Sequence, residues 1–228
     1  MKTIRLLVLT VWVAGLSASA SAAPILLTGG TAGAIPGDAS NEFINSGLFA
    51  DPVLGGYFGA QIELAVPTPS TLTIDFLGAE AGFWNKFTYS GSELFVHPTG
   101  TLVASSLLSP LATYSYVYTG FGLLPFSFNV NSGSATLVNG ANPDDSAGAA
   151  TTANFFATCD PFSSAPGAGG RSCSTVYLFL DDGGAGPDDN HDDFLVRISI
   201  AQVPEPGSLA LLGFGLVGLG LWSRRSRR

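Results

Sequence analysis

Residues 174–200 read STVYLFLDDGGAGPDDNHDDFLVRISI. In the first seven, Val176, Leu178 and Leu180 fall on one face at the two-residue period of a β-strand; in the last seven, Phe194, Val196, Ile198 and Ile200 do the same. Between the two runs stand six aspartates, together with Gly183, Gly184, Gly186 and Pro187, residues that turn a chain. The stretch reads as a β-hairpin whose acidic loop is expected at the surface, at the edge of the folded body.

Similar short alternating runs recur towards the N-terminus. Gln61–Val66 (QIELAV) and Thr71–Leu77 (TLTIDFL) read as two strands separated by a PTPS turn, with Leu72, Ile74 and Phe76 on one face and Thr71, Thr73 and Asp75 on the other. Further candidates are Phe87–Tyr89, Glu93–His97, Ala112–Tyr118, Pro125–Val130, Ala135–Val138 and Thr152–Ala157. Glu42–Phe49 reads as a short helix, and residues 139–150 and 160–172 as long loops. Roughly eight to ten short strands without a sustained amphipathic helix predict an all-β fold, an antiparallel β-sandwich that is jelly-roll or Greek-key like.

The two termini bracket this body, residues 23–202, as one exported domain. At the N-terminus, Lys2 and Arg5 precede an apolar core from Ile4 to Leu16 and the small residues Ala18–Ala22, the three parts of a signal peptide. Residues 1–22 are expected to be removed after Ala22, because a cut after Ala23 would place Pro24 next to the scissile bond. Export through the Sec translocon and processing by signal peptidase follow. At the C-terminus, Val203-Pro204-Glu205-Pro206 leads into an uncharged apolar run, Leu209–Trp222, and then to Arg224, Arg225, Arg227 and Arg228. As a helix the run is about 21 Å long, short of a ~30 Å hydrocarbon core, so it is expected to span the inner membrane only marginally. The arginines are costly to translocate and stay cytoplasmic, leaving the body outside.

This three-part end, residues 203–228, resembles the PEP-CTERM sorting signal of Gram-negative bacteria, with Pro204-Glu205-Pro206 as the naming motif. The resemblance implies an exosortase as processing partner, a transmembrane helix held in the membrane only transiently, and delivery to the cell surface or the exopolysaccharide matrix. A permanently anchored surface protein is the alternative, with Gly213, Gly215, Gly218 and Gly220 as helix-packing residues. The signal covers the tail alone and reports an address.

Within the body, Lys86, Arg171 and Arg197 face sixteen acids. That field disfavours nucleic acid and anionic lipid and attracts divalent cations. Cys159 and Cys173 bracket a loop rich in Gly, Ser and Pro and, in an oxidising compartment, are expected to form one disulfide. The absence of a CxxC pair argues against a zinc or redox cysteine site.

The acidic loop admits three readings: a solvated turn, a structural cation site, or a catalytic acid cluster. Asp188, Asn190 and Asp192 alternate as D-x-N-x-D, as the first side-chain ligands of an EF-hand do. Asp193 then stands where that loop needs glycine, and Ser199 where it needs a bidentate Glu, so this is no EF-hand. Asp181 and Asp182 could complete the shell across the hairpin, making Asp181, Asp182, Asp188, Asn190, Asp192 and Asp193 the candidate calcium ligands, with His191 a poor match for that ion.

Catalysis has little support. No nucleophile elbow, zincin, P-loop or dinucleotide motif occurs, and His97 before Pro98 reads as structural. A glycan-active enzyme would need a spaced carboxylate pair such as Glu63 with Glu80 or Glu93. Trp84, Tyr89, Tyr114, Tyr116 and Tyr118 could line a sugar-binding face for extracellular polysaccharide, or pack in the core. The sequence therefore predicts an exported surface or matrix protein with a structural or binding role, without catalytic residues.

Overall fold

The computed structural model describes residues 24–35, 40–97, 103–104, 106–146, 152–161, 165, 171–183, 190–202, 213 and 215–216. Strand β1 (Ile25–Ile35) leads to the one-turn helix α1 (Glu42–Asn45) and to β2 (Leu54–Ala79). Then come β3 (Asn85–Tyr89), β4 (Ser92–His97), β5 (Val103–Ala104), β6 (Ala112–Leu123) and β7 (Phe126–Val130). The last five are β8 (Ala135–Val138), β9 (Asn154–Cys159), β10 (Ser172–Cys173), β11 (Thr175–Asp181) and β12 (Phe194–Gln202).

Every strand pairing among the described residues is antiparallel. One sheet runs β10-β1-β2-β12-β11-β9, with β5 and β6 also on β2, and a smaller sheet runs β4-β3-β7-β8. β9 closes back on the start of β2 through Tyr57↔Ala157 and Phe58↔Phe156, so β2, β12, β11 and β9 form a circuit of pairings. The inner faces of the two sheets share one apolar cluster: Ile74, Val176, Leu178, Leu180, Phe194 and Val196 from the larger sheet, Phe87, Phe126 and Phe128 from the smaller. Phe128 meets Phe155 and Phe194 with ring centroids 5.9 and 6.1 Å apart, the offset and edge arrangements that aromatic quadrupoles favour.

The face of β11 opposite that cluster is apolar too. Tyr177 and Phe179, with Leu195 of β12, are covered by Phe43, Ile44 and Phe49 in and after α1. α1 is a lid on the outer face of the larger sheet, which explains why β11 reads as a nearly continuous hydrophobic run.

Several expectations are corrected. The PTPS segment is not a turn between two strands, because β2 continues through Pro67 and Pro69 over 26 residues. Proline cannot donate to a ladder, and β2 here changes its neighbour from β1 to β12, while its register against β6 shifts between Val66 and Ser70. β1, with its glycines and small residues, was not among the predicted strands. Asp75 does not face solvent. Arg197 donates to its Oδ2 from Nε and Nη2 at 2.8 and 2.7 Å, Thr113 donates to its Oδ1 at 2.6 Å, and the carboxylate is buried.

The predicted disulfide is formed, joining the end of β9 to β10. Residues 1–22 lie outside the described residues, as do Pro204, Glu205, Pro206, Arg224, Arg225, Arg227 and Arg228. Gly213, Gly215 and Leu216 are helical, and no helix among the described residues is long and apolar enough to cross a membrane.

Candidate metal centre

β11 and β12 pair from Thr175↔Ser199 to Leu180↔Phe194, so residues 181–193 are a hairpin connection as predicted. The base of this loop is not at the surface as expected: Asp181, Asn190, His191, Asp192 and Asp193 are all buried, while Gly183 is exposed. β11 and β12 are interior strands, and three segments from elsewhere cover the base of their hairpin. The first precedes α1. Asn41 caps the helix by accepting from Ile44 N at 3.0 Å, and its Nδ2 donates to the carbonyls of Asn190 and His191 at 2.7 and 3.1 Å. The amide of Glu42 donates to Asp192 Oδ2 at 2.7 Å, so an acid of the hairpin satisfies a donor of the helix start.

The second is the loop after β8, fastened to the larger sheet by side-chain amides. Asn139 accepts from Ile62 N at 2.9 Å and donates to Ile62 O and Leu124 O at 2.7 and 2.9 Å. Asn142 accepts from Phe155 N and donates to Phe155 O at 2.9 and 2.8 Å. These amides stand in for a neighbouring strand's backbone and carry Asp145 to the hairpin base. The third is Asn154 at the start of β9.

Asp145, Asp181 and His191 converge here, each offering one ligand atom, all within 4.8 Å of one another and all buried. Asn154 orients the imidazole. Its Nδ2 faces Asp145 Oδ2 at 3.5 Å, so its Oδ1 is the atom 2.8 Å from His191 Nε2 and places the ring proton there. Phe58 and Phe156 meet the imidazole ring at 5.3 and 6.3 Å between centroids. Burial pushes His191 down to about 3, so the ring is neutral, the protonation state in which imidazole ligates. His191 holds a left-handed backbone (φ 57°), a conformation uncommon outside glycine and concentrated at functional sites.

The other predicted ligands divide by task. Asp182 accepts from Asn85 Nδ2, Asp192 from Glu42 N, and Asp193 Oδ2 from Asp182 N at 2.7 Å. Asp181 Oδ1 accepts from Gly183 N at 2.8 Å, and Asp181 is the predicted ligand that meets the new partners. Asp188 lies outside the described residues. Burial, then the charges of Asp182, Asp181 and Asp192, push the Asp193 carboxyl up to about 9 despite the Asp182 amide. It is therefore protonated at neutral pH.

The sequence reading missed Asp145 and Asn154 and set His191 aside. Asp145 stood in a segment read as loop, and the N-P-D-D run around it carried only a turn signal. An imidazole beside two buried carboxylates suits zinc or manganese better than the all-oxygen shell calcium favours.

The remaining candidates fall elsewhere. Glu63 accepts from Thr28 at 2.7 Å, and Glu93 pairs with Lys86 at 2.7 Å near the surface. His97 is buried at the end of β4, and burial lowers its pKa. Tyr89 is core, its ring 4.9 Å from that of Tyr116, while Tyr114 is partly exposed beside Phe95.

Residues 202–228 match the PEP-CTERM protein-sorting motif, which implies export, membrane-associated sorting and an exosortase as processing partner. No curated protein and no solved structure matches the chain.

Proposed function

We propose that this is an exported protein of the cell surface or exopolysaccharide matrix, processed by an exosortase, whose two-sheet domain has a structural or binding role and is locked by a divalent cation. The PEP-CTERM match supports the address. The meeting of Asp145, Asp181 and His191 under α1 supports the cation. Such an ion joins the hairpin, the loop after β8 and, through Asn154, β9, and balances the negative charge of the buried carboxylates it brings together. Zinc or manganese is the ion of choice for this donor set, with calcium on the wider acidic set the competitor. No role in catalysis is assigned to any residue.

Two measurements test the reading. Intact mass of the protein recovered from its exporting host should correspond to a chain begun after Ala22 and cut near Pro204-Glu205-Pro206. A mass retaining the four terminal arginines would instead mean a permanent anchor. Thermal melts after chelation and re-addition of zinc, manganese or calcium should show a metal-dependent rise, as ligand binding to the folded state alone requires. Replacing Asp145 and Asp181 with Asn should abolish that rise. A rise that survives the double substitution, or none in the parent, would overturn the cation site.

A further inference from the structure

β6 is an edge strand: its one strand partner among the described residues is β2. Exposed edges invite pairing with other chains, and proteins blunt them with charges, prolines or short length. The other edges here follow that rule. Along β1, the Arg171 guanidinium donates to the carbonyls of Leu27, Gly29 and Gly30, laying a charge across the edge. β4 carries Glu93, ion-paired with Lys86, and β8 has four residues. β6 has twelve residues, ATYSYVYTGFGL, with no charge and no proline.

The middle of that strand is close to a palindrome. Thr113-Tyr114-Ser115-Tyr116-Val117-Tyr118-Thr119 reads the same in both directions about Tyr116, save for Ser115 against Val117. An antiparallel pairing of two copies about a two-fold axis through Tyr116 sets Tyr116 against itself, Tyr114 against Tyr118 and Thr113 against Thr119. Aromatic and threonine cross-strand pairs are among those that stabilise a sheet. The same register sets Phe121, 72% exposed, against Leu111 of the other copy, 44% exposed, and covers the region of Val117, 78% exposed. Two copies of this acidic body repel one another over most of their surface, and a two-fold pairing opposes matching stretches of one strand. An uncharged strand suffers no like-charge penalty in that arrangement.

We infer that β6 pairs with β6 of a second copy, antiparallel and in register about Tyr116, forming a two-fold dimer whose larger sheet is continuous across both copies. The full chain, in the form recovered from its exporting host, should run as a concentration-dependent dimer by light scattering. Val117→Lys places an ammonium on the edge beside the axis and should weaken the dimer about tenfold or more, with the melting temperature unchanged when parent and variant are both measured at concentrations where they are monomeric.

Register is read by cross-linking at two exposed positions. Thr113→Cys mixed with Thr119→Cys, allowed to exchange subunits, should give a disulfide-linked dimer, because paired Cα atoms lie within bridging distance. Either variant alone should give none. This arm stands even if Val117→Lys impairs folding. A monomer at every concentration would overturn the inference, including the case in which a different protein's strand binds β6. So would a dimer that tolerates Val117→Lys, or that cross-links Thr113→Cys to itself.

Discussion

His191 Nε2 lies 2.8 Å from Asn154 Oδ1, linking the hairpin between β11 and β12 to the first residue of β9. In the proposed cation site the amide would act through the imidazole, as a partner that fixes the ring's tautomer and angle. Asn154→Ala should therefore lower zinc or manganese affinity about 10–100-fold while leaving a folded protein. Titration of the melting temperature against free metal measures it, and an unchanged midpoint would show that the amide does not position the ring.

The metal-free protein should lose stability as pH rises from 7 towards 9. Asp193 has its folded pKa raised to about 9 by burial and by neighbouring acids, whereas an unfolded aspartate ionises near 4. In that window the unfolded chain has released the proton and the native state retains it, so the slope of stability with pH is negative. Asp193→Asn should flatten it. Chelated protein melted across the range checks the sign, and a rising or flat curve in the parent would contradict the assignment.

Arg197→Met should cost about 3–5 kcal/mol, because it leaves the Asp75 carboxylate buried beside Thr113 with its cation gone. Arg197→Met combined with Asp75→Leu should recover much of that loss, since removing both charges removes the desolvation penalty. Denaturant unfolding of the single and double variants decides between a pair that matters as a unit and one that contributes nothing.

Asn41→Ala removes a helix cap and two bonds to hairpin carbonyls in one substitution. A cap alone is worth about 1 kcal/mol, and each of the two lost hydrogen bonds to the hairpin carbonyls adds about 1 kcal/mol. Amide exchange should accelerate at Glu42–Asn45 and at residues 190–193 together, because one side chain serves both. Acceleration in the helix alone would mean that the hairpin holds its own shape.

Cys159→Ser with Cys173→Ser opens a loop with a sequence separation of 14 residues and should cost about 3 kcal/mol in the chain-entropy description. An equal loss on reduction of the parent protein supports that origin; no loss would place the stability in the β9–β11 pairing.

The hairpin and its partners show what a single sequence carries. Alternation along Val176–Leu180 and Phe194–Ile200 declares two strands because side chains project with a period of two, and their pairing follows from the short polar connection. The disulfide was legible for a similar reason: two cysteines close in sequence, in an exported chain. Burial of the loop's base was not. Asp181 and Asp193 look solvated until Asn41, Asn85, Asp145 and Asn154, separated from them by up to about 150 residues, arrive from other elements. β1 escaped notice because its small residues carry weak strand propensity and are held by ten paired positions along β2. The prolines of β2 misled for the opposite reason: a strong local signal was overridden where the strand exchanges one neighbour for another.

β12 ends at Gln202, the residue at which the sorting motif begins, and β12 is an interior strand bounded by β2 and β11. In an export that proceeds from the N-terminus, the facing edges of β2 and β11 would wait for the final segment before they can be joined. Completion of the domain and emergence of the sorting motif would thus be near-simultaneous events. A proline introduced into β12 would break the joining of β2 to β11 while leaving the sorting motif intact, so that the motif would be presented by a half-assembled body.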